Sequence, residues 1–502
     1  MSVGGISSRS ALSVQSLVDM RQKLDELQRQ LGTGKKSITY AGLGIDRGLT
    51  VGLNNRLAAL SSYDDAINNV GVRLSLAQTT LGQIEQIAHH VKTAAIQSPF
   101  VIDANGRTQD QRTAYGGLDL VLGLLNTKLG DRYFFSGKNV DQAAVETPAH
   151  ILDGDGARAG LRQLISERRQ ADIGAGRLGR LVIPAAAGSV VSISEDVAGS
   201  PFGLKLAAVN SGLTGAVVAG PAGAPPSISV TLGGANPNNG DSITFAFALP
   251  DGTSANVTLQ ATNSAAPGAN QFSLGATPAA TAANLQAALT TAVSELAGTS
   301  LAAASAVAAA DDFFNADLAS PPQRVAGPPF NTATAFAAGT SANTVVWYTG
   351  ESGGAAARST STARIDTSIS VSYGLRADEQ ALRLAVQNIA VFAATSYSAG
   401  DPLAEASYHA LTERVGTALD GAPGQQRIAD IESEIASAQT AIENAKARHR
   451  QTRATLSDLL QSIEGVSPDE VGSQILALHT SLQASLQTTA MLFRTSLVNY
   501  MP

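Results

Sequence analysis

The groups in this chain that could do chemistry are six histidines and a scatter of carboxylates, with no cysteine. The lack of cysteine removes disulfides, thiolate nucleophiles and thiolate metal sites. His89 and His90 are adjacent, so on a helix their rings diverge and cannot form the i,i+4 pair a zinc site needs. His150, His409, His449 and His479 stand alone and read as surface or groove residues. Asp64-Asp65, Asp311-Asp312 and Glu432 with Glu434 could be acid–base pairs, but helical surface charge or turn chemistry explains them. Gly174-Ala175-Gly176-Arg177-Leu178-Gly179 fits the glycine fingerprint of dinucleotide sites, with Glu195 about the right distance on. Pro184 leaves no room for the helix that must follow, so the stretch reads as a flexible loop. Asp153-Gly154-Asp155-Gly156 opens like a calcium loop, yet Ala157 fills the third ligand position and Leu164 replaces the closing Glu. That stretch reads as a turn. No nucleophile elbow, phosphate loop or triad pattern is present in the sequence, which predicts no catalytic residue, no cofactor, no metal and no enzyme activity.

Bulk properties narrow the class. A net charge of −7 and a pI near 5.4 give a nucleic-acid role no electrostatic support. Only 5% of residues are aromatic, which suits Ala-rich packed helices and light β domains. At 502 residues several domains are expected. The N-terminal stretch lacks a basic head followed by an apolar core, so no ordinary secretory signal is expected. The most apolar run, 301–310, is short and mostly Ala, and predicts no membrane span.

The most regular patterning lies at the two ends. Leu17, Met20, Leu24, Leu27 and Leu31 follow heptad spacing before Gly32-Thr33-Gly34. A second helical stripe covers 53–95, interrupted at Asp64 and Gly71, and a third runs from about 109 to 130. The region from 185 to 350 changes period to two. Ile243, Phe245, Phe247 and Leu249 alternate, Pro250-Asp251-Gly252-Thr253 turns, and Val257 and Leu259 resume, predicting a hairpin. An Ala-rich helix follows from Thr277-Pro278 through Leu296, and further β patches are expected at 344–349 and 365–373. Helical spacing returns at Ala377. It includes a long stripe through Ile428, Ile431, Ile435, Ile442, Ala445, Thr452, Leu456, Leu459 and Ile463. Ser467-Pro468 restarts a last helix carrying Val471, Ile475, Leu478, Leu482, Leu486, Phe493, Leu497 and Tyr500. Such stripes at both termini call for a partner, best supplied by each other and by further copies of the chain.

The ends resemble bacterial flagellin and the related hook–filament junction protein. The resemblance is carried by 27–36 with Ala41-Gly42-Leu43-Gly44-Ile45-Asp46, by Tyr133-Phe134-Phe135-Ser136-Gly137, by 373–379, and by 482–486 through 496–501. The insert is similar to a variable outer domain of some alphaproteobacterial flagellins. The resemblance implies an α+β multidomain fold, in which an elongated antiparallel helical coiled coil or bundle from both chain ends carries an inserted β-rich α+β outer domain. It divides the chain into an N-terminal assembly helix and connector (1–52), a wall domain in two parts (53–184 and 351–465), the outer domain (185–350) and a C-terminal assembly helix (466–502).

The function implied is that of a structural subunit polymerising into the flagellar filament for motility. The expected subunit-interface residues are Leu17, Met20, Leu24, Leu27, Leu31, Ile475, Leu478, Leu482, Leu486, Phe493, Leu497 and Tyr500. The partners implied are further copies of the chain, hook-associated and cap proteins, the flagellar export apparatus and an export chaperone, with neither nucleic acid nor membrane. The place implied is the extracellular flagellum, reached without a cleaved signal. The junction protein between hook and filament is the alternative within the family. A secreted adhesin or enzyme using 185–350 is the alternative from another class.

Overall fold

The computed structural model describes residues 4–97 and 99–498 of an α+β protein. Its helices are α1 (Gly4–Thr33), α2 (Arg47–Gln97), α3 (Gln109–Leu125), α4 (Pro148–Asp153), α5 (Leu161–Ile173), α6 (Pro278–Leu296), α7 (Ala302–Asn315), α8 (Gln380–Ala394), α9 (Ala404–Asp420), α10 (Ile428–Glu464) and α11 (Pro468–Val498). Its strands are β1 (Lys128–Leu129), β2 (Arg132–Tyr133), β3 (Leu181–Val182), β4 (Val190–Glu195), β5 (Lys205–Ser211), β6 (Val217–Ala222) and β7 (Ser227–Thr231). They continue with β8 (Ser242–Ala248), β9 (Ser254–Thr262), β10 (Gln271–Ser273), β11 (Arg324–Val325), β12 (Phe336–Ala337), β13 (Thr362–Arg364) and β14 (Ser370–Ser372). The chain forms two compact units. One takes the residues up to Gly71, Ala363–Val371 and those from Gln439 on; the other takes Val72–Thr362 and Ser372–Ala438.

In the first unit α1 packs on α11. Where α1 ends, the Lys36 amide donates to the Glu464 carbonyl and the Val466 amide donates to the Gly34 carbonyl. The end of α1 therefore lies beside the start of α11, and the two helices run antiparallel. Gly34 takes a positive φ of 68°, which a side chain would strain, and so permits the reversal after α1. Ser467 caps α11, its Oγ accepting from the Glu470 amide, with Pro468 at the first helical position.

In the second unit two four-stranded sheets, ordered β3-β4-β7-β6 and β10-β9-β8-β5, share one core with α6. The alternation read from the sequence places Ile243, Phe245, Phe247, Val257 and Leu259 inward, against Ile193, Val230, Leu285 and Leu289. Thr277 caps α6 by accepting from the Ala280 amide. The helices also pack among themselves, α3 against α8 and α5 against α7. A capping box at Thr108 and Gln111 starts α3, and the Gln111 amide then donates to the Phe392 and Thr395 carbonyls at the end of α8. One polar side chain thus closes the end of two helices.

Several sequence expectations change. The second helix is longer than 53–95 and runs from Arg47 to Gln97, with Asp64 and Gly71 inside it. The third helix stops at Leu125 rather than near 130, because 128–133 folds into the β1–β2 hairpin. Residues 344–349 form no strand. Isolated bridges, Val145 to Tyr348 and Ala159 to Thr344, hold that segment while Trp347 sinks into the core and donates to the Phe314 carbonyl at 2.9 Å. The Ala-rich helix does not end at Leu296. A π-helical turn, Ala297–Leu301, carries it into α7, and Pro278–Asn315 becomes long and apolar enough to cross a membrane by length and composition. In the fold, 61% of that apolar window is buried.

Candidate functional site: the paired chain ends

The stripe of α1 meets the stripe of α11 along their contact. Leu17, Met20 and Leu24 are half-buried there and Leu27 is 4% exposed, whereas Leu31 lies open to solvent. On α11, Val471 is buried and Ile475, Leu478 and Leu482 are half-buried, whereas Leu486 is exposed. Phe493 and Leu497 lie on α11, but their side chains fall outside the described residues, as does Tyr500 altogether. Half-burial along a contact between two helices means that each stripe is covered on one flank only.

Both helices also carry apolar side chains away from that contact. Leu12 is 70% exposed on α1 and Leu476 is 72% exposed on α11, with Val14 and Val18 also open. The connector after α1 adds Ile38, Tyr40 and Ile45 to the exposed apolar surface. Polar contacts fix the reversal between α1 and α2. Arg29 and Gln30 both donate to the Lys36 carbonyl at 3.0 Å, and Arg29 also binds Glu26. Arg29 and Gln30 also donate to the Glu26 carboxylate, and these bonds hold it down at about 2. Lys35 reaches Glu464 at 2.8 Å.

The second polar cluster of this unit was not legible as such. His449 was expected on the surface or in a groove, and Asp64 as plain helical charge. In the fold His449 is 2% exposed and its Nδ1 lies 2.9 Å from Asp64 Oδ1. Arg453 binds the other oxygen of Asp64 at 2.6 Å, and Lys446 donates to Asn68 at 3.1 Å. The signal was spacing. His449 stands four residues after Ala445 and seven before Leu456, on the apolar stripe of α10. Asp64 stands four after Leu60 and three before Ile67, on that of α2. Two stripes that face each other, each with one ionisable member, satisfy both by pairing them.

The remaining motifs resolve into turns and structural pairs. In the 174–179 loop, Gly174 and Gly179 take positive φ, and the preceding Asp172 is buried and accepts from the Gly203 amide and from Arg168. Asp155 accepts from Arg158 and Asp153 pairs with Arg162, closing the 153–156 turn. His89 and His90 are both exposed. Among the described residues no group of three or more His, Cys, Asp or Glu side chains is placed to hold a metal. Asp311 and Asp312 line a cleft of about 830 Å³ with Arg168, Asp251 and Arg414, and burial raises the Asp312 carboxyl.

The chain matches no known family model, and no curated protein matches it.

Proposed function

We propose that this chain is a structural subunit that polymerises through its two end helices, in the manner of a flagellar filament protein. The observation that carries the reading is the state of α1 and α11. They pair through half-buried stripes and leave Leu12, Val14, Val18 and Leu476 bare on other faces. Burial at roughly 25 cal/mol per Å² makes a helix face of this size worth several kcal/mol per contact before ordering costs. In this reading further copies cover those faces, and the pair becomes part of a coiled coil of both chain ends. Residues 53–184 and 351–465 form the wall of the fibre, and 185–350 projects outward. The subunit leaves the cell through the flagellar export apparatus, with an export chaperone, and meets hook-associated and cap proteins at the ends of the fibre. The reading has no enzymatic step and needs no cofactor.

The test is a deletion of 471–502 in the full chain, followed by sedimentation and electron microscopy. The truncated chain is expected to stay a soluble monomer while the intact chain forms fibres. Normal fibres from the truncated chain would reject assembly through the end helices.

A further inference from the structure

Three segments far apart in sequence meet at the buried ring of His449. Asp64 comes from α2, and Asp366 comes from the Ala363–Val371 hairpin, which joins this unit although its sequence neighbours belong to the other. Nδ1 lies 2.9 Å from Asp64 Oδ1, and Nε2 faces Asp366 Oδ2 at 3.7 Å with no hydrogen bond of its own. The other charged groups around the ring are Arg453, on Asp64 at 2.6 Å, and Arg448, on Asp366 at 3.3 Å. Lys446 turns away to Asn68, and the Tyr63 ring lies 6.0 Å off. A carboxylate thus faces each nitrogen of the ring. An imidazolium has an N–H for both. A neutral imidazole has one, so it must turn a lone pair toward the other carboxylate, and at 2% exposure water cannot take that place.

We propose that the proton on His449 is a latch seating the 363–371 hairpin on α2 and α10, and that its loss releases the hairpin. With the ring charged, the hairpin is held by the imidazolium and by the buried side chain of Ile365. With the ring neutral, Asp366 keeps the Thr367 amide and hydroxyl within its own hairpin, and beyond it the half-exposed Arg448, which solvent screens. The latch is shut while the ring carries a proton on both nitrogens and opens once one of them is lost. Protonating Asp366 at far lower pH would also open it. Asp366 resists this, because the backbone N–H of Thr367 holds its carboxyl below the usual range. The inference does not depend on polymer formation.

The experiment is hydrogen exchange with mass spectrometry on the full-length unassembled chain from pH 5.5 to 8, corrected for intrinsic exchange. The reporter is the amide of Ile365, which donates to the Ile369 carbonyl at 2.9 Å. Opening of 363–371 is expected to rise about tenfold across the range in the wild type, while β8 and β9 stay unchanged. His449→Gln should remove the pH dependence. Since that variant also alters packing, nitrogen NMR of the wild-type ring supplies the second measurement, with both ring nitrogens protonated wherever the hairpin is shut. Flat exchange in the wild type, retained pH dependence in His449→Gln, or a neutral ring while the hairpin is shut would each overturn the proposal.

Discussion

Arg414 in α9 donates through Nε to Asp251 in the turn between β8 and β9 at 2.7 Å, across 163 residues of sequence. The Asp251 side chain is 3% exposed and also accepts from the Thr253 amide and hydroxyl. A buried carboxylate with this many donors is a fixed point of its unit. Removing it leaves the Arg414 guanidinium, only 16% exposed, without its carboxylate.

Asp251→Ala is therefore expected to destabilise the second unit by about 3–5 kcal/mol. Replacing both partners by apolar residues of similar size, Asp251→Leu with Arg414→Met, should recover most of that loss. Urea unfolding followed by the fluorescence of Trp347 measures this. The chain has one tryptophan, and it lies in the core of that unit.

Glu379 makes the same unit sensitive to pH. Burial pushes its carboxyl from about 4.5 up to about 7, although Arg358 pairs with it. The folded state thus holds the proton between those values while the unfolded chain gives it up. The contribution to stability is complete below pH 4.5 and is lost as pH rises toward 7 and above. The loss is on the order of 3 kcal/mol. Glu379→Gln keeps an uncharged side chain at every pH, so this part of the slope between pH 5 and 8 should vanish in the same fluorescence assay.

At the joint between α1 and α11, backbone geometry should outweigh charge. Lys35 is more than half exposed, so Lys35→Ala should cost under about 0.5 kcal/mol. Gly34→Ala meets no neighbouring atom but must hold φ at 68°, at a cost of about 1–2 kcal/mol. Exchange of the Lys36 and Val466 amides, which bridge the joint, reports the difference.

Substitutions along the end helices should separate folding from assembly. Leu476→Asp places a charge on an open face, so it should leave helix content intact and sharply reduce sedimentable polymer. Leu24→Asp places one in the α1–α11 contact and should lower both. Equal polymer yield from Leu476→Asp and wild type in a pelleting assay would count against a role for that face.

What could be read from the sequence divides along physical lines. The hairpin of β8 and β9 was legible because one buried face imposes strict alternation on Ile243, Phe245 and Phe247. The break at Ser467-Pro468 was legible because cap and proline chemistry is local. Asp64 misled, since one polar residue in a stripe looks like an interruption until its partner on another helix is known. His449 was that partner, and 385 residues separate the two. Residues 344–349 misled in the other direction. A run of β-formers around Trp347 looks like a strand, yet the ring packs on Phe314 and the backbone finds only isolated bridges.

The pairing of α1 with α11 also sets a schedule for synthesis. Lys35 and its partner Glu464 are separated by 429 residues. At about 5–20 residues per second, a ribosome needs roughly 20–90 s to cover that distance. Throughout that interval Leu17, Met20, Leu24 and Leu27 have been made and the helix they pack against has not. The first apolar stripe of the chain is thus the one left longest without its cover, and the emerging chain depends on that stripe staying out of trouble until the far end arrives.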